Sequence, residues 1–370
     1  MKADVIIIGA GVIGTACAYY LSRRGIRVLV LERSHLCAGA TGATAAIISV
    51  GGTSGTPEPL RPFNMESHRL IENLEQDFEK PMEMIRGGSL FVALNEQEVQ
   101  EIRSYYEHAR LMGIDGKLLD GSEARRLEPL LSPCVAAAFY NPVSYHVNPF
   151  RLCAGYLDAA AQRCGKVEYG VEVQDIIVQK GRIDRVVTNR GDFHAEWVVA
   201  AAGAWTPQLF KSVDIAVPIV PARGQAILTE ACDRLTNLSL SFSNHVYLRQ
   251  TESGNFYLGS QTEFAGFEDR ITFEKMAAFT DVPARAVPIL GRLRAIRFFA
   301  GFRPISGDEL PIIGPIPGCP KIIIASGHGK TGMRYSASTG KAVSELIADG
   351  TTELSIEAFQ LKRFQKNKQK

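Results

Sequence analysis

Residues 300–314 read AGFRPISGDELPIIG, and one arginine, Arg303, stands there among Gly301, Pro304, Gly307, Pro311 and Gly314. Glycine and proline at such spacings build turns with fixed backbone angles, so a side chain mounted between them is aimed. A guanidinium is a planar fork of donors that matches a carboxylate, and the chemistry suggested is anion capture at a defined angle. A second group lies in NHVYLRQ, where Tyr247 is flanked by His245 and Arg249. Strand alternation predicts all three on one face, as a wall for an acidic ligand. A third lies near the start, where Gly9, Gly11 and Gly14 form G-x-G-x-x-G and Glu32 follows about 20 residues on.

Each group needs an element to carry it. Asp4 to Ile8 is a β-branched run, TACAYYLSRRG has helical apolar spacing ended by Gly25, and Ile26 to Leu31 is again strand-like and leads into Glu32. In that order Gly9 makes a tight turn, Gly11 lets backbone approach a pyrophosphate, and Gly14 lets helix and strand pack closely. The helix N-terminus faces the phosphates and Glu32 accepts hydrogen bonds from a ribose diol. NAD and FAD both use this unit, which does not choose between them. GATGATAAIIS (39–49), with Thr41 and Thr44, lacks bulky side chains where a second phosphate or a flavin ring would crowd the backbone. ASGHGKTGMRYSASTGKAVSELI (325–347) reads as strand end, glycine turn and long helix. Its N-terminal amides and positive dipole end would suit the N1–C2=O edge of a flavin. VYLRQTESGNFYLGSQTE reads as a β-hairpin turning at Ser253–Gly254, and Pro218 to Leu228 as a further strand.

The bulk numbers bound the rest. The chain has 370 residues, 46% hydrophobic, and 41 basic against 39 acidic side chains for a formal charge of +2. That is a globular composition with room for more than one core, and no basic excess of the kind that marks a nucleic-acid partner. No apolar run reaches the ~20 residues of a membrane span. The terminal KRFQKNKQK reads as a solvated tail, and the start as glycine-patterned and not as a signal peptide, so a cytoplasmic location is expected. The seven cysteines are odd in number and without C-x-x-C spacing, and we expect buried reduced thiols, with no disulfide framework and no metal or iron–sulfur centre.

Taken together, these landmarks resemble the FAD-dependent D-amino-acid oxidase superfamily over essentially the whole chain. The likeness is to glycine oxidase, sarcosine oxidase-like enzymes and the flavin subunits of heteromeric amino-acid dehydrogenases. The resemblance implies FAD, with Gly9, Gly11, Val12, Ile13 and Gly14 at the pyrophosphate and Glu32 and Arg33 at the adenosine. Ala40, Thr41, Ala45, Ala46 and Ile47 would run along the pyrophosphate and under the flavin. Val173 would meet the adenine through its backbone, and Ala202, Gly203 and Trp205 of VVAAAGAW would close over the cofactor. His328, Gly329, Lys330, Thr331, Gly332 and Met333 would form the flavin-edge helix start. The pattern G-F-R-P-x-S-x-D-x-x-P-x-I-G resembles the family's substrate motif, so Arg303 would hold the substrate carboxylate above the flavin. Tyr247 would help it, and Lys330 occupies a position where some relatives carry an arginine near the substrate. Sarcosine oxidases attach flavin through a cysteine just beyond this region; here Ser306 stands there and Cys319 is too far along, so noncovalent FAD is expected.

The implied fold is α/β (an α+β two-domain arrangement): a Rossmann-like FAD-binding domain with a second, antiparallel-sheet substrate domain. The first would be discontinuous, over 1–84, 146–215 and 300–370, and the second would use 85–145 and 216–299. The implied activity is FAD-dependent oxidation of the C–N bond of an amino or imino acid such as glycine, proline, hydroxyproline or an opine, by hydride transfer from Cα to flavin N5. PARGQ and RQTESGNFYLGSQTE look more like the heteromeric-dehydrogenase subunits, whose partners would carry an iron–sulfur cluster or a second flavin. The alternative is a self-contained oxidase that uses oxygen and releases peroxide. A nicotinamide-dependent dehydrogenase would leave the carboxy-terminal elements unexplained, and a non-catalytic flavin-stabilised scaffold would leave Arg303 and Tyr247 unexplained.

Overall fold

A computed structural model describes residues 3–51, 56–213, 215–243, 245–259 and 262–364; the basic run at 365–370 lies outside them. The chain opens with β1 (Val5–Ile8), α1 (Val12–Arg23) and β2 (Val28–Glu32). Both strands are buried at every position, as continuous apolar runs in a parallel sheet covered on two faces must be. Gly25 follows α1 at φ +75°, a left-handed stop that glycine adopts without strain. A short β3 (Ile47–Ile48) and α2 (Arg61–Glu72) come next. The chain then leaves this layer as β4 (Ser89–Ala93), α3 (Glu96–Leu111), β5 (Lys117–Asp120), α4 (Gly121–Leu127) and β6 (Ala137–Asn141).

It returns through β7 (Tyr145–His146), α5 (Pro149–Ala161) and β8 (Gly165–Tyr169). The antiparallel β9 (Val173–Gln179), β10 (Arg182–Thr188) and β11 (Gly191–Phe193) and then β12 (Trp197–Ala200) complete the middle segment. A second excursion adds β13 (Ile219–Ala231), β14 (Ser239–Phe242), β15 (Tyr247–Gln250), β16 (Asn255–Gly259) and α6 (Phe273–Ala286). The chain ends with β17 (Ala295–Ser306), β18 (Ile312–Ile316), β19 (Cys319–Ser326) and α7 (Gly332–Asp349).

Two large sheets result. One has six strands in the order β18-β19-β12-β1-β2-β8, parallel but for the β18–β19 pair. The other has eight, in the order β17-β13-β16-β15-β14-β4-β6-β5. The hairpin expected around Ser253–Gly254 is β15–β16, with Gly254 at φ +87°. The large sheet is not wholly antiparallel: β14 lies parallel to β4, with Ser239 opposite Ser89. These strands come from separate excursions, so no tight turn dictates their direction. Residues 300–306, placed at sequence level with the nucleotide domain, run in β17 along β13, with Arg303 opposite Ala222. The first core joins α1, α7 and the inner faces of β1, β2 and β19. At Gly340 a Cβ would come within 2.8 Å of the Ala16 carbonyl oxygen, so α7 crosses α1 at backbone distance. The expectation of seven buried thiols is corrected: Cys17, Cys37, Cys153 and Cys319 are buried, Cys134 is exposed, and Cys164 and Cys232 are half-buried.

Candidate active site

One cavity of about 930 Å³ runs between the two sheets. At its amino-terminal end Gly9 has φ +106°, and a Cβ there would sit 2.7 Å from the Ala201 oxygen. A Cβ on Gly14 would drive into the Gly9 carbonyl, so Gly14 serves helix–strand packing and does not line the cavity. Gly11 caps α1 without a side chain, and the Val12 N–H donates to Thr41 Oγ1 at 3.1 Å. Glu32 is buried and accepts from Ala10 N and Ser34 N, each at 2.9 Å, which fixes its carboxylate at the end of β2. Arg33 lies over the Trp205 ring at 4.1 Å, on the same cavity wall as Val173, Ala202 and Gly203.

The middle of the cavity is floored by Ala40, Thr41, Ala45, Ala46 and Ile47. Their smallness has a direct consequence at Gly301, where a Cβ would meet the Ala43 Cβ at 2.5 Å. The large sheet thus rests almost backbone to backbone on the small-residue segment.

At the far end Arg303 reaches across β13. Its Nη1 donates to Thr262 Oγ1 at 2.6 Å and its Nη2 to the Tyr247 hydroxyl at 3.3 Å. The guanidinium lies on Gly224, where a Cβ would be 2.7 Å from its carbon. The Tyr247 ring lies in the same way on Gly259, and is parallel to Tyr257 with centroids 6.3 Å apart and planes 6° apart. Tyr257 donates to the Ala43 oxygen at 2.9 Å. The Thr262 loop is stapled from below by buried Arg223, which pairs with Glu263 at 3.2 Å and donates to the Arg270 oxygen at 2.8 Å. Gln225 adds bonds to Glu263 at 2.7 Å and Thr272 at 3.0 Å. Beyond Arg303, Ser306 donates to the Leu310 oxygen at 2.5 Å and Asp308 is clasped by Arg363 at 2.7 and 2.9 Å. The serine and aspartate of the motif lock the turn, while its arginine faces the cavity.

The third wall is the start of α7. Gly329 N–H donates to the Pro304 oxygen at 2.8 Å, fastening this turn to the Arg303 strand. Thr331 turns its hydroxyl back to the His328 oxygen at 2.8 Å, so no side chain caps the first amides of α7, and Gly332 and Met333 face the cavity. His328 bonds Thr339 Oγ1 at 3.0 Å, and burial pushes its pKa down to about 3, which leaves the ring neutral. Enclosure pushes the Lys330 ammonium below its ordinary pKa; Glu309 pulls it up, and Arg334 and Arg303 push it further down.

The structure therefore brings every predicted site residue except Gly14 to one cavity. The predicted face of His245, Tyr247 and Arg249 holds for Tyr247 and Arg249 and is corrected at His245. β15 begins at Tyr247, and His245 sits in the preceding turn at φ +60° and is exposed. Arg249 stays on the Tyr247 face, opposite Tyr257, and is buried with its guanidinium 5.9 Å from the Tyr257 ring centroid. Sequence reasoning missed Tyr257, Thr262, Ser49 and Arg334. The hairpin register could have given Tyr257, since Gly259 opposite Tyr247 places residue 257 on the same face. Thr262 and Arg334 carried no such signal, because a loop staple and a helix crossing place them.

A cavity with a helix start at either end, a fixed acid at a strand end and an aimed guanidinium define a flavin-dependent amino-acid oxidoreductase. The chain belongs to the FAD dependent oxidoreductase (DAO) family, whose model matches residues 4–346. It is 32% identical to hydrogen cyanide synthase subunit HcnC of Pseudomonas aeruginosa, over 98% of this chain and 96% of that protein. Glycine oxidase of Geobacillus kaustophilus is 27% identical over 98% and 97%, and the crystal structure of glycine oxidase from that organism superposes with a TM-score of 0.92 over 98% and 99%. L-proline dehydrogenase of P. horikoshii superposes with a TM-score of 0.90 at 26% identity, over 99% of this chain and 98% of that one. The chain is thus an FAD-dependent enzyme of the kind that acts on amino-acid C–N bonds.

The residues present fit FAD. The glycine turn into α1 and the carboxylate of Glu32 suit a pyrophosphate and a ribose. The floor of small residues leaves room for a planar ring, and the uncapped start of α7 suits its electron-rich edge.

Proposed function

We propose that this protein oxidises the Cα–N bond of a small amino or imino acid, with noncovalent FAD, as the flavin subunit of a heteromeric dehydrogenase. The observation that carries the substrate reading is Arg303, held by Thr262 and Tyr247 on the strand to which the turn before α7 is fastened. Bound FAD would supply the two-electron acceptor for C–N oxidation. The chain's own part is positioning. Arg303 would grip the substrate carboxylate through two donors, with the Tyr247 hydroxyl as a further contact and Gly224 leaving the guanidinium room to lie flat. The stacked Tyr247–Tyr257 pair would set the angle of that grip and close one side against water. Lys330, on the turn that Gly329 fastens to the Arg303 strand, would add positive charge beside it. The subunit reading is supported by the likeness to HcnC, which is itself described as a subunit. The similarity to glycine oxidase supports the second reading, a self-contained oxidase.

One preparation tests both layers. FAD-loaded protein is mixed anaerobically with glycine, sarcosine, proline and hydroxyproline, and the flavin band is followed. Bleaching by at least one supports the substrate class, and bleaching by none sinks it. Reoxidation that is slow in oxygen and fast with an artificial dye supports the dehydrogenase. Fast reoxidation by oxygen with stoichiometric peroxide assigns the oxidase instead.

A further inference from the structure

One buried cation has no part in the machinery described so far. Arg249 is only 5% exposed, yet among the described residues its guanidinium donates no hydrogen bond, and its Nε is sealed without a partner. No described carboxylate lies at ion-pair distance from it. Glu252 is taken by Arg234 at 2.8 Å. Glu83, whose charge reaches Arg249, is held by Arg151 at 3.3 Å and by Asn148 at 2.8 Å. Burial lowers the Arg249 pKa to about 10, which still leaves the group charged at neutral pH. An enclosed charge without hydrogen bonds or a counter-ion is costly, so the position calls for a negative charge that the chain does not itself supply.

The register places Arg249 opposite Tyr257, a residue of the cavity wall. The guanidinium lies 5.9 Å from the Tyr257 ring centroid, and the hydroxyl of that ring donates to the Ala43 oxygen at 2.9 Å on the small-residue floor. Tyr257 packs there with Ala45, Ala226 and Ile47. What separates the cation from the floor is thus an aromatic ring among apolar side chains, a medium that screens charge far less than water does. A cation so placed favours whichever form of a neighbouring group carries more negative charge. Two-electron reduction adds negative charge to a flavin.

Resting on the assignment of this cavity to FAD, we propose that Arg249 is a positioning residue that raises the reduction potential of the bound flavin, acting through the Tyr257 ring as the buried counter-charge of the reduced cofactor. Arg249 takes up neither electron nor proton; the two electrons come from the substrate C–N bond.

FAD-loaded wild type, Arg249→Met and Arg249→Gln are reduced slowly with dithionite, without oxygen or amino acid, beside a reference dye. Both variants should shift the equilibrium toward oxidised flavin by at least about tenfold, ~30 mV for a two-electron couple. Thermal melts of the oxidised, FAD-loaded proteins supply a second readout. Arg249→Met should melt at or above the wild type, because it replaces an unpaired buried charge with apolar atoms. An arginine with a merely structural role predicts the reverse, an unchanged potential and a lowered melt, and that result overturns the proposal. A potential lost in Arg249→Met but kept in Arg249→Gln overturns it too, since hydrogen bonding and not charge would then be responsible. So does an unchanged potential with weaker binding of butyrate, which would assign the charge to the ligand. A lower potential with a lowered melt in both variants would mark a disturbed flavin site and count against it equally. Failure of the wider functional reading looks different: no amino acid bleaches the flavin, while the dithionite titration still reports the potential.

Discussion

The guanidinium of Arg303 is placed by what its neighbours lack. Gly224 beneath it and Gly259 beneath Tyr247 are flat spots in a sheet, and a methyl group at either would occupy the volume of a working side chain. Gly259→Ala should therefore lower kcat/KM more than Tyr247→Phe does. The first displaces the ring and misaims Arg303, an effect on the order of 10²-fold. The second removes one hydrogen bond, about 0.5–1.5 kcal/mol. Steady-state kinetics on whichever amino acid bleaches the flavin decides this, and a larger loss from Tyr247→Phe would contradict it. Arg303 and Tyr247 were legible because their surroundings are rare in sequence: turn residues at fixed spacing around one cation, and a tyrosine opening a hairpin. Arg334 was not, because a single arginine in a helix points wherever the packing of α7 on α1 directs it.

At the level of elements, the turn from β19 into α7 depends on a neutral ring. Burial holds His328 down to about 3 from 6.5, and burial with the Arg249 charge does the same to His146, which bonds Ser239 at 3.2 Å and the Gln250 oxygen at 3.1 Å. The unfolded chain takes up these protons near pH 6.5 and the folded chain not until about 3. Stability present above pH 6.5 is thus lost as pH falls through that window, at up to ~1.4 kcal/mol per pH unit for each ring. Urea melts between pH 7 and 5 should show this slope, and His328→Gln should remove about one ring's share; an unchanged slope would contradict the assignment. The βαβ start, the hairpin and the α7 helix were readable from periodicity and turn residues. The β4–β14 pairing was not, since a parallel pair between two distant excursions leaves no local mark. Nor was the start of β15 only after His245, which a left-handed backbone decides.

Across the whole molecule, the cavity is the seam between the six-stranded and eight-stranded sheets, with Gly301 pressed against Ala43 at one point of contact. A cofactor filling that seam contacts both layers and so stabilises their union. Stripped protein given FAD at about 100 times Kd should gain about 2.7 kcal/mol. Thermal melts would show a raised midpoint, and no shift would count against FAD in this cavity. The most direct test of the central claim, that Arg303 holds the carboxylate of an amino or imino acid whose C–N bond is oxidised, is anaerobic flavin reduction by wild type and Arg303→Met side by side. We predict that both proteins are yellow and that the wild type bleaches. The variant should require a far higher substrate concentration, a loss on the order of 2–5 kcal/mol in kcat/KM. Equal bleaching of the two proteins at the same substrate concentration would contradict the account.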